Sequence, residues 1–211
     1  MIVHGSTLSP FVRKVMVFAA EKGLAVENKV APPGPKSAEF LAISPFGKIP
    51  AFEDGDFQLC DSSAIVHYLD AQYPEHNLIP VEARARGRTV WFDEYADTIM
   101  FAAAAPIFFN RVVAGLMGME GDMAAADKAE AEALPPVLAY LESVIPASGF
   151  LVEDRLTLAD IAVAAPFVNF SHAGVMIDAA AFPKVTAYAA AMLARPSFAT
   201  LVEKEKRFLN K

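Results

Sequence analysis

The sequence predicts an α/β unit followed by an all-helical one. In the first seventy-odd residues a short β-branched run at Met1 to His4 is ended by Gly5, Ala25 to Val30 alternates, and a two-residue Asp54-Gly55 turn signal sits between two short strand-like runs. Beyond Pro80, apolar residues recur at helical spacing without convincing strand alternation.

Met1 to His4 reads as a strand ended by Gly5. Ser9-Pro10 then supplies an N-cap and a proline at the first helical position. In the helix that follows, Phe11, Val15, Phe18 and Ala19 recur at helical spacing, Arg13 and Lys14 fall off that stripe, and Gly23 is the stop. Ala25 to Val30 alternates as a second strand, after which Pro32, Pro33, Gly34 and Pro35 forbid regular structure. The economical connection is a right-handed βαβ unit. A short helix spans Ser37 to Ala42 and is broken by Ser44-Pro45-Phe46-Gly47. Ala51 to Glu53 and Phe57 to Cys60 flank the Asp54-Gly55 turn as antiparallel strands. Asp61-Ser62-Ser63 caps a helix carrying Ala64, Ile65, Tyr68 and Leu69, which ends before Pro74.

Pro74 to Pro80 reads as a linker, giving an expected division into residues 1–75, a connection over 76–84, and a helical domain over 85–211. Helices are expected at about 83–116 with a bend at Pro106, about 122–145 kinked or split by Pro135-Pro136, and about 157–172, 182–193 and 196–207. Thr157-Leu158-Ala159-Asp160 opens the third of these as a capping box.

Composition narrows the function. The 211 residues are 55% hydrophobic and 20% charged with a net charge of −7, which fits a globular protein and argues against nucleic acid or an anionic membrane as the main partner. One cysteine, Cys60, leaves no internal disulfide, no cysteine zinc site and no Cys-x-x-Cys pair, and is expected to be a buried packing residue in a reducing cytoplasm. The start lacks a basic and apolar leader, and the most apolar run, Ile99 to Phe109, is broken by Pro106 and too short to span a bilayer. A Gly-x-Ser-x-Gly elbow, a His-Glu-x-x-His pair and a Walker loop are absent. Gly115, Gly118 and Gly121 are expected to be loop glycines, and His4, His67, His76 and His172 share no metal-ligand spacing, so no metal is expected.

What remains is a set of polar residues at element ends, where backbone donors are free. Two roles fit Ser9: a helix cap, or a hydroxyl aimed with the helix N-terminus at an anion. Asp61-Ser62 carries the same pair of readings, a cap or a carboxylate and hydroxyl that receive a ligand's ammonium and carboxylate.

Four motifs, in order and at fitting spacing, resemble the glutathione S-transferase family over nearly the whole chain. They are Ser9-Pro-Phe-x-Arg13, Lys48-Ile49-Pro50, Asp61-Ser62-x-Ala64-Ile65-x-x-Tyr68-Leu69, and Thr157-Leu158-Ala159-Asp160-Ile161. The resemblance implies a thioredoxin-like N-terminal domain, an all-helical C-terminal domain, a homodimer, and glutathione as cosubstrate held mainly by the first domain. Carried over, Ser9 would hydrogen-bond the glutathione sulfur, Ile49 would pair its backbone with the cysteinyl part beside a cis peptide at Pro50, and Asp61 and Ser62 would hold the γ-glutamyl end. Lys36 and Lys48 match positions that reach the glycyl carboxylate in plant-type serine members, although Lys36 also fits a solvated loop lysine. The chain departs from the family's frequent pattern at Ser44-Pro45, where Asn often precedes the proline, and at Asp61, where Glu is frequent. Ser6 is a rival hydroxyl, and Ser9 is preferred because it stands four before Arg13 and borders the helix. Cys60 is not at the Ser9 position, which disfavours the cysteine-type members that reduce mixed disulfides.

The electrophile is expected between the glutathione site and the first long helix, where Phe11, Phe101 and Phe108 would make an apolar pocket; the two helix phenylalanines also fit a core role, and Trp91 and Tyr95 are expected in the core. The leading expectation is a glutathione transferase acting on a small hydrophobic electrophile in detoxification. A glutathione-dependent isomerase, peroxidase or dehalogenase and a binding module without turnover are the competing readings, since fold alone does not fix function.

Overall fold

The structure, a computed structural model, describes residues 1–30 and 36–210. The irregular segment expected at Pro32 to Pro35 lies outside the described residues. By packing, the chain divides into two compact units, Met1–Pro80 with Pro196–Lys211, and Val81–Arg195.

The first unit contains β1 (Ile2–His4), α1 (Pro10–Glu21), β2 (Glu27–Lys29), α2 (Ala38–Ile43), β3 (Ala51–Asp54), β4 (Phe57–Cys60) and α3 (Ser62–Gln72). Its four-stranded sheet has the order β2-β1-β3-β4, with β1 parallel to β2 and antiparallel to β3, and β3 antiparallel to β4. Gly55, at φ 63°, turns the β3–β4 hairpin. The edge strand β2 is shorter than the expected Ala25 to Val30 because it pairs only with the three residues of β1. Register sets His4 opposite Ala51 and Ala51 opposite Cys60, so the end of β1, the start of β3 and the end of β4 lie abreast.

Val3, Val12, Val15, Phe18, Phe52, Ile65 and Leu69 form the core of this unit. Arg13 and Lys14, off the apolar stripe in sequence, are also buried, at 0% and 1% exposure. The reason is that α1 packs on two helices, α3 and the terminal helix α8 (Pro196–Leu209), so more than one face is covered. Arg13 meets Glu205 of α8 in a two-pronged pair, Nε to Oε1 at 3.3 Å and Nη2 to Oε2 at 2.8 Å. Lys22 joins the far end of α1 to Asp70 at 2.8 Å and donates to the carbonyls of Glu75 and His76, while Asp70 also accepts from the Leu78 amide. The run from Pro74 to Pro80 is thereby fastened to the first unit, with Leu78 and Ile79 buried.

The second unit is helical: α4 (Ala83–Leu116), α5 (123–144), α6 (Leu158–His172) and α7 (Pro183–Leu193). Pro106 lies in a regular stretch of α4 between two wider turns, 95–100 and 109–113, in which Phe101 and Ala114 donate five residues back, to Ala96 and Phe109. In α5 the Leu134 amide likewise reaches Ala129, and Pro135 and Pro136, which have no N–H to give, occupy the first turn of a fresh α segment. Because the helix runs through Pro106, α4 is long and apolar enough by length and composition to cross a membrane, unlike the short Ile99 to Phe109 run; 28% of its apolar window is buried.

α6 is the centre of this unit, buried from Leu158 through Phe170 and packed along α4. Its capping box is present: the Thr157 amide donates to Asp160 Oδ2 at 3.0 Å. Asp160 also accepts from the Leu151 amide at 2.9 Å, and burial pushes its carboxyl up to about 6 against the pull of these bonds. Tyr95 is in the core, with its hydroxyl donating to the Val137 carbonyl, but Trp91 is 46% exposed. The Trp91 ring stays at the surface because its Nε1–H donates to the Tyr140 hydroxyl at 2.7 Å.

Candidate functional site

The site begins where β1 ends. Gly5 has φ 137°, and a Cβ there would lie 2.6 Å from Val12 Cγ2 and 3.0 Å from Ile49 Cβ, so only glycine lets the chain leave the sheet between α1 and Ile49. Ser6 to Ser9 form a turn: the Leu8 amide donates to Ser6 Oγ at 3.3 Å and the Ser9 amide to the Ser6 carbonyl at 3.0 Å. Ser9 holds the N-cap position, its carbonyl accepting from Arg13 at 3.0 Å, yet its side chain makes no capping hydrogen bond. Of the two roles open to Ser9 in the sequence, the cap is therefore not taken. Ser6 accepts a hydrogen bond within its turn and, with Thr7 and Leu8, lines a cavity of about 390 Å³ together with Met16, Leu201 and Phe208.

Across the sheet end, the Ile49–Pro50 peptide is cis and leads into β3. The loop before it is pinned by Ser44, whose buried hydroxyl donates to the Lys48 carbonyl at 2.8 Å. In sequence Ser44 reads as part of a helix break and as a departure from the family's frequent Asn, and neither reading discloses this brace. Lys48 itself is exposed, and Lys36 sets its ammonium 5.5 Å from the Phe40 ring.

The third strand end delivers Asp61 and Ser62. Asp61 has φ 80°, in the left-handed region that disfavours a side chain, and of the two roles open to it in the sequence its Oδ1 takes the cap, accepting from the amides of Ser63 and Ala64, each at 3.0 Å. Ser62 opens α3 and is buried. Lys14 reaches this same turn from α1, donating to Ser63 Oγ at 3.1 Å.

Register brings these segments together. Because His4, Ala51 and Cys60 lie abreast, the Gly5–Ser9 turn, the Lys48–Pro50 loop and the Asp61–Ser62 turn all leave the sheet at one end, with neighbouring strands about 4.8 Å apart. The N-termini of α1 and α3 are therefore offered at that end, an arrangement that favours anions. Cys60, expected to be buried, is partly exposed there because β4 is an edge strand with one neighbour. Phe11 is partly buried in α1 of the first unit, and Phe101 and Phe108 are partly buried on α4 of the second. Among the described residues no cluster of three or more His, Cys, Asp or Glu could hold a metal ion.

Residues 3–77 match the glutathione S-transferase N-terminal domain and residues 108–205 the glutathione S-transferase C-terminal domain. The chain is 35% identical to glutathione S-transferase 3 of Zea mays over 202 residues, 93% of this chain and 90% of the relative. The chain belongs to the glutathione S-transferase family. Among solved structures, this chain is similar to a glutathione S-transferase from Rhodospirillum rubrum, at a TM-score of 0.87 and 27% identity over 95% of this chain and 90% of that one. It is also similar to glutathione S-transferase I from maize in complex with an atrazine glutathione conjugate, at a TM-score of 0.83 and 25% identity over 96% of each chain. The fold is that of the family, a small mixed sheet with its helices followed by a helical part, as the motifs implied.

Proposed function

We propose that this protein is a glutathione transferase in which Ser9 activates the glutathione thiol for attack on a small hydrophobic electrophile. The observation that carries the reading is the Ser9 hydroxyl, which stands at the N-cap of α1 but makes no capping bond. A free thiol with a pKa of about 8.5 is only a few per cent thiolate at neutral pH, and the thiolate is the nucleophile. Lowering that pKa by about two units takes about 2.7 kcal/mol. One hydrogen bond to a charged group supplies about 1.5–3 kcal/mol, and a helix N-terminus adds about 0.3–1 kcal/mol. The serine donates its O–H to the sulfur while the thiol proton leaves to solvent. The sulfur then forms a C–S bond with the electrophilic carbon, and its leaving group departs.

Asp61 and Ser62 receive the γ-glutamyl end, Ile49 beside Pro50 pairs with the cysteinyl backbone, and Lys36 and Lys48 take the glycyl carboxylate. The shared sheet end of the segments carrying Ile49, Lys48, Asp61 and Ser62 supports their part of this set. Phe11, Phe101 and Phe108 are proposed to contact the electrophile. The glutathione conjugate carried by the maize relative is consistent with a conjugating role. Residues 1–75 would bind glutathione, and the helical part from 85 on would shape the electrophile pocket.

The test is Ser9→Ala. Glutathione affinity should stay within about twofold, kcat at neutral pH should fall by about tenfold or more, and the ultraviolet absorbance of the bound thiolate should titrate at higher pH. Unchanged turnover would move the role to Ser6 or elsewhere. If the unaltered protein binds no glutathione at millimolar concentration, a binding module without turnover is favoured instead. A panel of electrophiles separates transfer from isomerase, peroxidase or dehalogenase chemistry.

We further propose a cytoplasmic homodimer acting in detoxification. The exposure of Val90, Trp91 and Ile99 on α4 supports a second copy as the cover for an apolar helix face.

A further inference from the structure

We infer that Lys14 is a positioning residue for the turn that opens α3, and so sets how tightly that turn holds the γ-glutamyl end of glutathione. The inference deepens the proposed function and rests on it.

Lys14 lies in the second turn of α1 and is 1% exposed, an uncommon place for a side chain that ordinarily keeps its head in water. Burying an ammonium is costly, so the position carries a compensating purpose. Its Nζ ends 3.1 Å from Ser63 Oγ, in the first turn of α3. The Ser63 amide is at the same time held by Asp61 Oδ1 at 3.0 Å. Asp61 thus holds Ser63 through its backbone, and Lys14 holds it through its hydroxyl.

Both holds bear on a strained turn. Asp61 sits at φ 80°, and a residue with a side chain persists in that region only where its surroundings over-determine it. The carboxylate's bonds to the Ser63 and Ala64 amides act from within the turn. Lys14 acts from the adjoining helix, tying the element that carries Ser9 to the element that carries Asp61 and Ser62. Without that tie, Asp61 can relax toward negative φ and its carboxylate swings away from the ligand. The thiol end of the site, on α1 itself, keeps its geometry.

The experiment compares two ligands on the full chain: S-hexylglutathione, and S-hexylcysteinylglycine, which is the same conjugate without its γ-glutamyl residue. In Lys14→Met, binding of the first should weaken about tenfold and binding of the second less than about twofold, with the bound-thiol titration of glutathione unmoved. A general loosening of the first unit would weaken both conjugates alike. Ser63→Ala removes the same hydrogen bond by deleting one oxygen and should give the same split at smaller amplitude, which decides the matter if Lys14→Met does not fold. Equal weakening of both conjugates, or no weakening in either variant, overturns the inference. If the unaltered protein binds neither conjugate, the proposed function fails with it, an outcome distinct from intact binding with an unchanged ratio.

Discussion

The buried Asp160 carboxylate accepts from the Thr157 and Leu151 amides at the start of α6. The Thr157-to-Asp160 spacing announces a capping box, and the box is present. Burial then lifts the carboxyl from an ordinary 3.8 to about 6, a consequence of its sitting in the central helix of the second unit. The folded state holds a proton that the unfolded chain has released between those two values, so this group's contribution to stability is full below about 4 and is lost as pH rises through about 6. Asp160→Asn should remove that dependence. Thermal melts from about pH 7 down to about pH 4 should show the stability of the unaltered protein gaining on that of the variant as pH falls. A constant difference across the range would mean that Asp160 is ionised throughout. Ser9 and Lys14 belong to the same scale: the sequence marked Ser9 as a cap or a ligand donor, and gave no sign that Lys14 is buried.

At the scale of elements, residue spacing located most helices within one or two positions, because caps, prolines and glycines act locally. The pairing between elements was less accessible. Arg13 and Glu205 are 192 residues apart, and nothing local to either says that α8 returns to cover α1. Burial pushes the Arg13 guanidinium below its usual value while Glu205 pulls it back, so each charge depends on the other. Glu205→Gln, which leaves Arg13 buried without its carboxylate, should cost about 3–5 kcal/mol in denaturant unfolding. Replacing both, as Arg13→Met with Glu205→Leu, should recover most of that loss; a single variant as stable as the unaltered protein would show that the pair is not what fastens α8. The prolines of α5 make the same point from the other side, since the wide turn ending at Leu134 lets a proline pair follow without breaking the helix.

For the whole molecule, the two compact units do not follow chain order, because α8 packs with the first. The proposed homodimer is a prediction at this scale: light scattering should give twice the chain mass, and Trp91→Glu, placed on the exposed face of α4, should shift it toward the monomer. A monomeric unaltered protein would leave that face without its proposed cover. The sequence alone determined the succession of strands and helices, the family, and the residue types at the strand ends, since each follows from local propensity or from a short motif. Only the tertiary structure decided that three of those motifs leave the sheet at one end, that the Ser9 side chain is not used as a cap, and that the buried Lys14 reaches Ser63. These depend on register and on which helix covers which, and both are set by contacts between residues far apart in the chain.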